Sequence, residues 1–80
     1  MPSLDQLRVG QTGFIESISG TDGIVQRLFE MGLLEGERVQ VIGFAPLGDP
    51  MEILLRNYRL SLRRKEAARV QVSLAEPISG

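Results

Sequence analysis

The sequence predicts a mainly β domain: a small, partly open barrel of five short strands, with one short α-helix between the first and second long strands. Three observations lead there. Apolar residues alternate in short runs broken by Gly, Pro, Asn and Asp, only one stretch changes to the three-and-four spacing of a helix, and 80 residues leave room for a single core. Strands this short must close on one another or expose vulnerable edges, which favours a barrel over a flat sheet. No repeat or low-complexity tract interrupts the chain, so residues 1–80 are read as one domain with its core over about 4–74 and a flexible tail at 75–80.

The first strand is Gln11 to Ile18, carrying Phe14, Ile15 and Ile18, with Gly13 permitting a bend or bulge. After the turn-rich SGTDG, Ile24, Val25, Leu28 and Met31 fall on one helical face, with Thr21 or Asp22 as N-cap. Gly32 can take the left-handed conformation that closes this helix, and Leu33 then folds back on the preceding turn. Arg38 to Phe44 alternates as the second strand and ends at the APLGDP turn, Ala45 to Pro50. Glu52 to Arg56 and Arg59 to Arg63 form a hairpin joined by Asn57 and Tyr58, where Asn tolerates a positive φ. Ile53, Leu55, Leu60 and Leu62 share its apolar side, so Arg59, Ser61 and Arg63 point outward. Lys65 to Ala68 favours one helical turn, and Val70, Val72 and Leu74 alternate as the last strand.

Composition excludes much chemistry. Cysteine, histidine and tryptophan are absent, which removes disulfides, thiolate nucleophiles, imidazole bases and the common zinc and iron ligand sets. With Lys65 the only lysine, none of the serines gains an activating base, so no catalytic residue is expected. The glycines match neither a P-loop nor a dinucleotide fingerprint, and no cofactor is expected. Asp49 with Glu52 is explained by turn formation rather than by cation binding, and Met31 and Met51 by packing, so no metal ligand is assigned. Phe29 lies off the main helical stripe. It either widens the buried face, the reading preferred here, or remains outside as a docking anchor.

Charge is unevenly distributed. Residues 1–55 carry three arginines against eight acidic residues, a balance of −5, whereas residues 56–69 carry six basic residues against one acidic, +5. Such a block suits nucleic acid, anionic head groups or an acidic protein surface, or forms a solvated outer face. The longest uncharged run, Val39 to Gly48, is half of the ~20 residues a spanning helix needs. No basic leader precedes an apolar run at the N-terminus, so a cytoplasmic location without membrane insertion is expected.

These residues carry a family resemblance. The helix-ending RL-x-x-MGL at Arg27, Leu28, Met31, Gly32 and Leu33, the strand-opening GE-x-V at Gly36, Glu37 and Val39, the AP-x-GDP turn, and L-x-LR-x-x-EA at Leu60, Leu62, Arg63, Glu66 and Ala67 together resemble the ferrous iron transport protein A (FeoA) family over about Leu4 to Val72. Asn57 before Tyr58 departs from a frequent glycine. The resemblance implies an SH3-like barrel acting as a cytosolic accessory of the membrane ferrous iron transporter FeoB. A chain without Cys or His is poorly equipped to carry Fe²⁺, so docking and regulation are expected rather than chelation. The expected contact residues are Arg56, Arg59, Arg63 and Arg64, joined by Tyr58 and Phe29, at the cytosolic face of the transporter. Two alternatives stay open: a detached SH3-like regulatory domain of the iron-dependent repressor type, and a nucleic-acid-binding small barrel. The acidic pI of about 5.3 and the thin aromatic inventory weigh against nucleic acid. An open strand edge also admits weak self-association.

Overall fold

The computed structural model describes residues 2–75. A single 3-10 turn at Leu4–Gln6 precedes strand β1 (Thr12–Ile18), helix α1 (Gly23–Glu30), strands β2 (Arg38–Phe44), β3 (Met51–Leu55) and β4 (Tyr58–Leu62), helix α2 (Arg64–Ala67) and strand β5 (Val70–Leu74). The five strands form one antiparallel sheet in the order β4-β3-β2-β1-β5. The sheet curls over its core but stays open, because β4 and β5 are its two ends. Register shifts between Ile15 and Ser17 in β1 and between Val41 and Gly43 in β2 supply irregularities that bend such a sheet.

The core is aliphatic: Ile15, Leu28, Leu33, Val39, Val41, Met51, Ile53, Leu55, Leu62, Val70 and Val72 are at most 1% exposed. Burying each such side chain is worth about 1.5–3 kcal/mol, which explains how the N-terminal segment is held. Residues 1–10 carry no periodic signal, yet Leu4 and Leu7 insert into the core. Their burial brings Pro2 and Ser3 onto the outer edge of β5, where the Val72 N–H donates to the Pro2 carbonyl at 3.0 Å and Ser3 bridges Gln71.

The end of α1 follows from its sequence. Gly32, at φ +99°, donates its N–H to the Phe29 carbonyl at 3.0 Å, and Leu33 donates to the Leu28 carbonyl at 3.1 Å. These two bonds define a Schellman closure, and Leu33 packs back into the core with Leu28. Asp22 is the N-cap.

Several expectations need correction. The hairpin turn is Arg56–Asn57, one residue earlier than expected, with Leu55 paired to Tyr58 and Leu54 to Arg59. The positive φ belongs to Arg56, at +56°, not to Asn57. A turn at Asn57–Tyr58 would set Arg56 directly opposite Arg59, and like charges across a ladder are unfavourable. The observed register instead aligns Met51 with Leu62 and Ile53 with Leu60. Gly13 is not the bulge either. A side chain there would come within 3.1 Å of the Ser73 carbonyl oxygen and 3.3 Å of Val72 Cβ, so glycine serves close approach of β1 to β5. The helical turn α2 begins at Arg64 rather than Lys65. Of the expected tail, Ala75 still donates to the Thr12 carbonyl at 2.9 Å, and residues 76–80 lie outside the described residues.

Candidate functional site

Strand alternation on β4 turns Arg59 and Ser61 to one face and Tyr58, Leu60 and Leu62 to the other, and Arg63, the N-cap of α2, follows in an extended backbone that continues the alternation to the Arg59 face. Arg59 stands at the open end of the sheet with its side chain 71% exposed, and its nearest carboxylate, Glu52, is 4.0 Å away across the β3–β4 ladder. At that distance and exposure the pair contributes little. Arg63 has no ion-pair partner among the described residues. Its backbone N–H donates to Glu66 Oε1 at 2.9 Å and so starts α2.

The other two expected contact arginines are already engaged. Arg56 donates from Nε and Nη2 to the two carboxylate oxygens of Glu37 at 2.7 and 2.9 Å. This bidentate bond holds the Glu37 carboxyl below its ordinary range and raises Arg56 further. It also secures the left-handed Arg56. The Arg64 guanidinium lies 5.4 Å from the Phe44 ring centroid and donates to the Asp5 carbonyl at 3.3 Å, while its backbone N–H donates to Asp49 at 3.0 Å. The six expected contact residues therefore divide: Arg59 and Arg63 lie together on one face of the β4 end, while Arg56 and Arg64 are tied to the turns at its two ends.

Tyr58 stands against the end of α1, the helix that carries Phe29. Tyr58, 42% exposed, donates its hydroxyl to the Met31 carbonyl, and Gly32 sits against that hydroxyl. Phe29 is 43% exposed, which corrects the preference for burial, and Leu34, two residues beyond Gly32, is exposed as well. Phe29 lies off the packed stripe of Val25 and Leu28 within α1, and Leu34 follows the sharp turn at Gly32.

Three ion pairs were not read from the sequence. Arg69 grips Asp22 with two bonds of 2.9 and 3.0 Å, which holds the Asp22 carboxyl below its ordinary range and raises Arg69. Arg56 with Glu37 is the second. The third joins Arg27 Nη1 to Glu66 Oε2 at 2.9 Å, and Glu66 is the buried charged residue of the core wall. A local signal for Glu66 exists, since it stands three residues after Arg63 at capping-box spacing. Partners distant in sequence leave no such trace.

No group of three or more acidic side chains is placed to hold a metal among the described residues. Met51 is fully buried and Met31 packs against the core. A cleft of about 400 Å³ on the outer face of β2 and β3 is lined by Glu37, Arg38, Gln40, Leu54 and Arg56, and its Glu37 and Arg56 satisfy each other. No helix among the described residues is long and apolar enough to cross a membrane.

A family model described as the FeoA domain matches residues 3–74. The chain is 35% identical over 71 residues to the Fe(2+) transport protein A/Fe(2+) transporter FeoB fusion protein of Porphyromonas gingivalis, covering 89% of this chain but only 8% of that protein. Among solved structures, an FeoA-like protein of Clostridium acetobutylicum superposes with a TM-score of 0.90 at 26% identity, over 99% of this chain and 92% of that one. The FeoA of Stenotrophomonas maltophilia, solved with zinc and described as a prokaryotic SH3 domain protein, gives a TM-score of 0.80 at 31% identity, over 91% of each chain. The partly open five-stranded barrel is thus of the SH3-like kind.

Proposed function

The chain belongs to the FeoA domain family over residues 3–74, and from that membership we propose that it is an accessory of bacterial ferrous iron uptake that docks on the cytosolic face of the transporter FeoB. The observation that carries this reading is the Porphyromonas gingivalis relative, in which a segment like this chain and the transporter share one polypeptide. Joining two modules in one chain raises their effective concentration for each other, an arrangement suited to partners that meet. The donor set favours contact over chelation: without Cys or His, a ferrous ion would have only oxygen and thioether ligands.

In this reading Arg59 and Arg63 make the charged contact on one side of the β4 edge, and Tyr58 with Phe29 supplies an apolar contact on its other side. Arginine suits the role because its planar fork holds carboxylates bidentately while its stem packs. Arg56 and Arg64 support the surface from their internal partners. Docking regulates the transporter only to the extent that it binds one conformation better than another. The protein works without catalysis of its own, at the inner face of the membrane through its partner.

The test is retention of the transporter from detergent-solubilised membranes by the immobilised chain, compared with a variant carrying Arg59→Glu and Arg63→Glu. The wild type is expected to retain it and the variant to lose it. Equal recovery removes the arginines from the contact, and no recovery by either removes the docking reading.

A further inference from the structure

The two ends of the open sheet differ. Along β5 the chain's own Pro2 and Ser3 occupy the outer edge, through the Val72 N–H and the Ser3–Gln71 bridge. Along β4 no segment of residues 2–75 pairs with the outer edge. An unpaired edge presents the N–H and C=O of every second residue and is a template for another strand. The uncovered edge is also the basic one: Arg59 is on its outer face, Arg63 follows directly as the N-cap of α2 with its own backbone bonded to Glu66, and Tyr58 and the half-buried Leu60 are on the inner face.

We propose that β4 is a strand-addition site for an extended acidic segment of a partner protein, one in which acidic and apolar residues alternate. Added antiparallel to β4, such a segment sets its acidic side chains beside Arg59 and Arg63 and its apolar side chains beside Tyr58 and Leu60, completing a sixth strand. Backbone bonds to the edge supply affinity, and alternation supplies the selection. A second copy of this chain is the poorer occupant. Antiparallel pairing of β4 with itself about its midpoint, Leu60, gathers the Arg59 side chains of both copies on one face of the shared ladder as diagonal neighbours, with each Arg63 following on that face, and like charges so placed oppose association. The same arginines that protect the edge from self-pairing select an acidic partner for it. The inference rests on the docking reading above and adds the geometry of the contact.

The experiment uses the whole chain, isotopically labelled, and three nine-residue probe peptides: alternating Glu and Val, the same composition with the glutamates grouped at one end, and the alternating peptide with a central proline. The alternating peptide is expected to slow amide exchange within Tyr58–Leu62, and to bind about tenfold more tightly than either control. Arg59→Glu with Arg63→Glu is expected to abolish that difference; both positions are exposed, and a retained circular dichroism spectrum checks that the variant folds. Equal binding of the proline peptide, protection elsewhere in the sheet, concentration-dependent dimerisation through β4, or preference for a mixed-sequence single-stranded oligonucleotide overturns the inference. Retention of the transporter by wild type in the earlier test, with no edge protection by the alternating peptide, rejects strand addition while leaving docking intact.

Discussion

Tyr58 donates its phenolic hydrogen to the Met31 carbonyl across 2.7 Å, joining the first residue of β4 to the C-cap of α1. The bond is long-range in sequence and partly exposed, and it satisfies one of the carbonyls that a helix end leaves open. It also fills the space beside Gly32, where a Cβ would lie 2.6 Å from the Tyr58 oxygen.

Tyr58→Phe is therefore expected to destabilise the fold by about 1 kcal/mol, the usual worth of one hydrogen bond. Gly32→Ala is expected to lose about 2 kcal/mol, from the left-handed backbone together with displacement of the Tyr58 hydroxyl. The double variant should lose less than the sum, because the second loss has already been taken. Urea denaturation of the four proteins measures the coupling, and strict additivity would show that the hydroxyl and Gly32 do not interact.

The buried Glu66 answers to two donors, the Arg63 N–H and the Arg27 guanidinium. Arg27→Ala leaves the carboxylate walled in with one donor, and the expected loss is about 2–3 kcal/mol, less than for a fully buried pair because Arg27 is itself largely exposed. Glu66→Gln keeps an acceptor for the Arg63 N–H and removes the charge, so about 1 kcal/mol is expected. Denaturant midpoints measure both losses, and an Arg27→Ala variant as stable as the wild type would show that the guanidinium contributes nothing.

Glu37 and Asp22 each have a carboxyl held below its ordinary value of 4.5 and 3.8, chiefly by the side-chain hydrogen bonds from Arg56 and Arg69. A carboxyl depressed on folding adds stability above its unfolded value, and that stability disappears as pH falls through the folded one. Stability should therefore decline on acidification below the ordinary carboxylate range. Glu37→Gln and Asp22→Asn together should flatten that acid limb and leave the profile near neutrality parallel to wild type. Both pairs face solvent, so added salt should weaken the effect as well. Denaturant midpoints taken from pH 7 to pH 3 check the slope, and an unchanged acid limb would discount both pairs.

Local signals made much of this architecture readable. The α1 boundary was legible because Gly32 and Leu33 announce a Schellman closure within six residues, and β2 and β5 because alternation needs no partner. The hairpin was displaced by one residue because both registers align leucines; the opposition of Arg56 to Arg59 separates them, and it becomes visible only when the register is drawn. Gly13 was misread because a glycine inside a strand serves either a bulge or a close approach, and only β5 decides between them. Leu4 and Leu7 escaped because a lone 3-10 turn has no period. At the candidate site, the outward direction of Arg59 and Arg63 followed from alternation. The capture of Arg56 by Glu37 and of Arg69 by Asp22 did not, since these pairs are separated by 19 and 47 residues.

Pro2 and Ser3 lie beside β5, and Ala75 leaves that same strand bonded to Thr12 of β1. Residues 2 and 75 therefore both emerge along β5, the end strand of the sheet that is not β4. A fluorophore or an affinity handle joined close to residue 2 or 75 would thus sit beside β5, whose outer edge is already occupied, and not on the unpaired edge of β4.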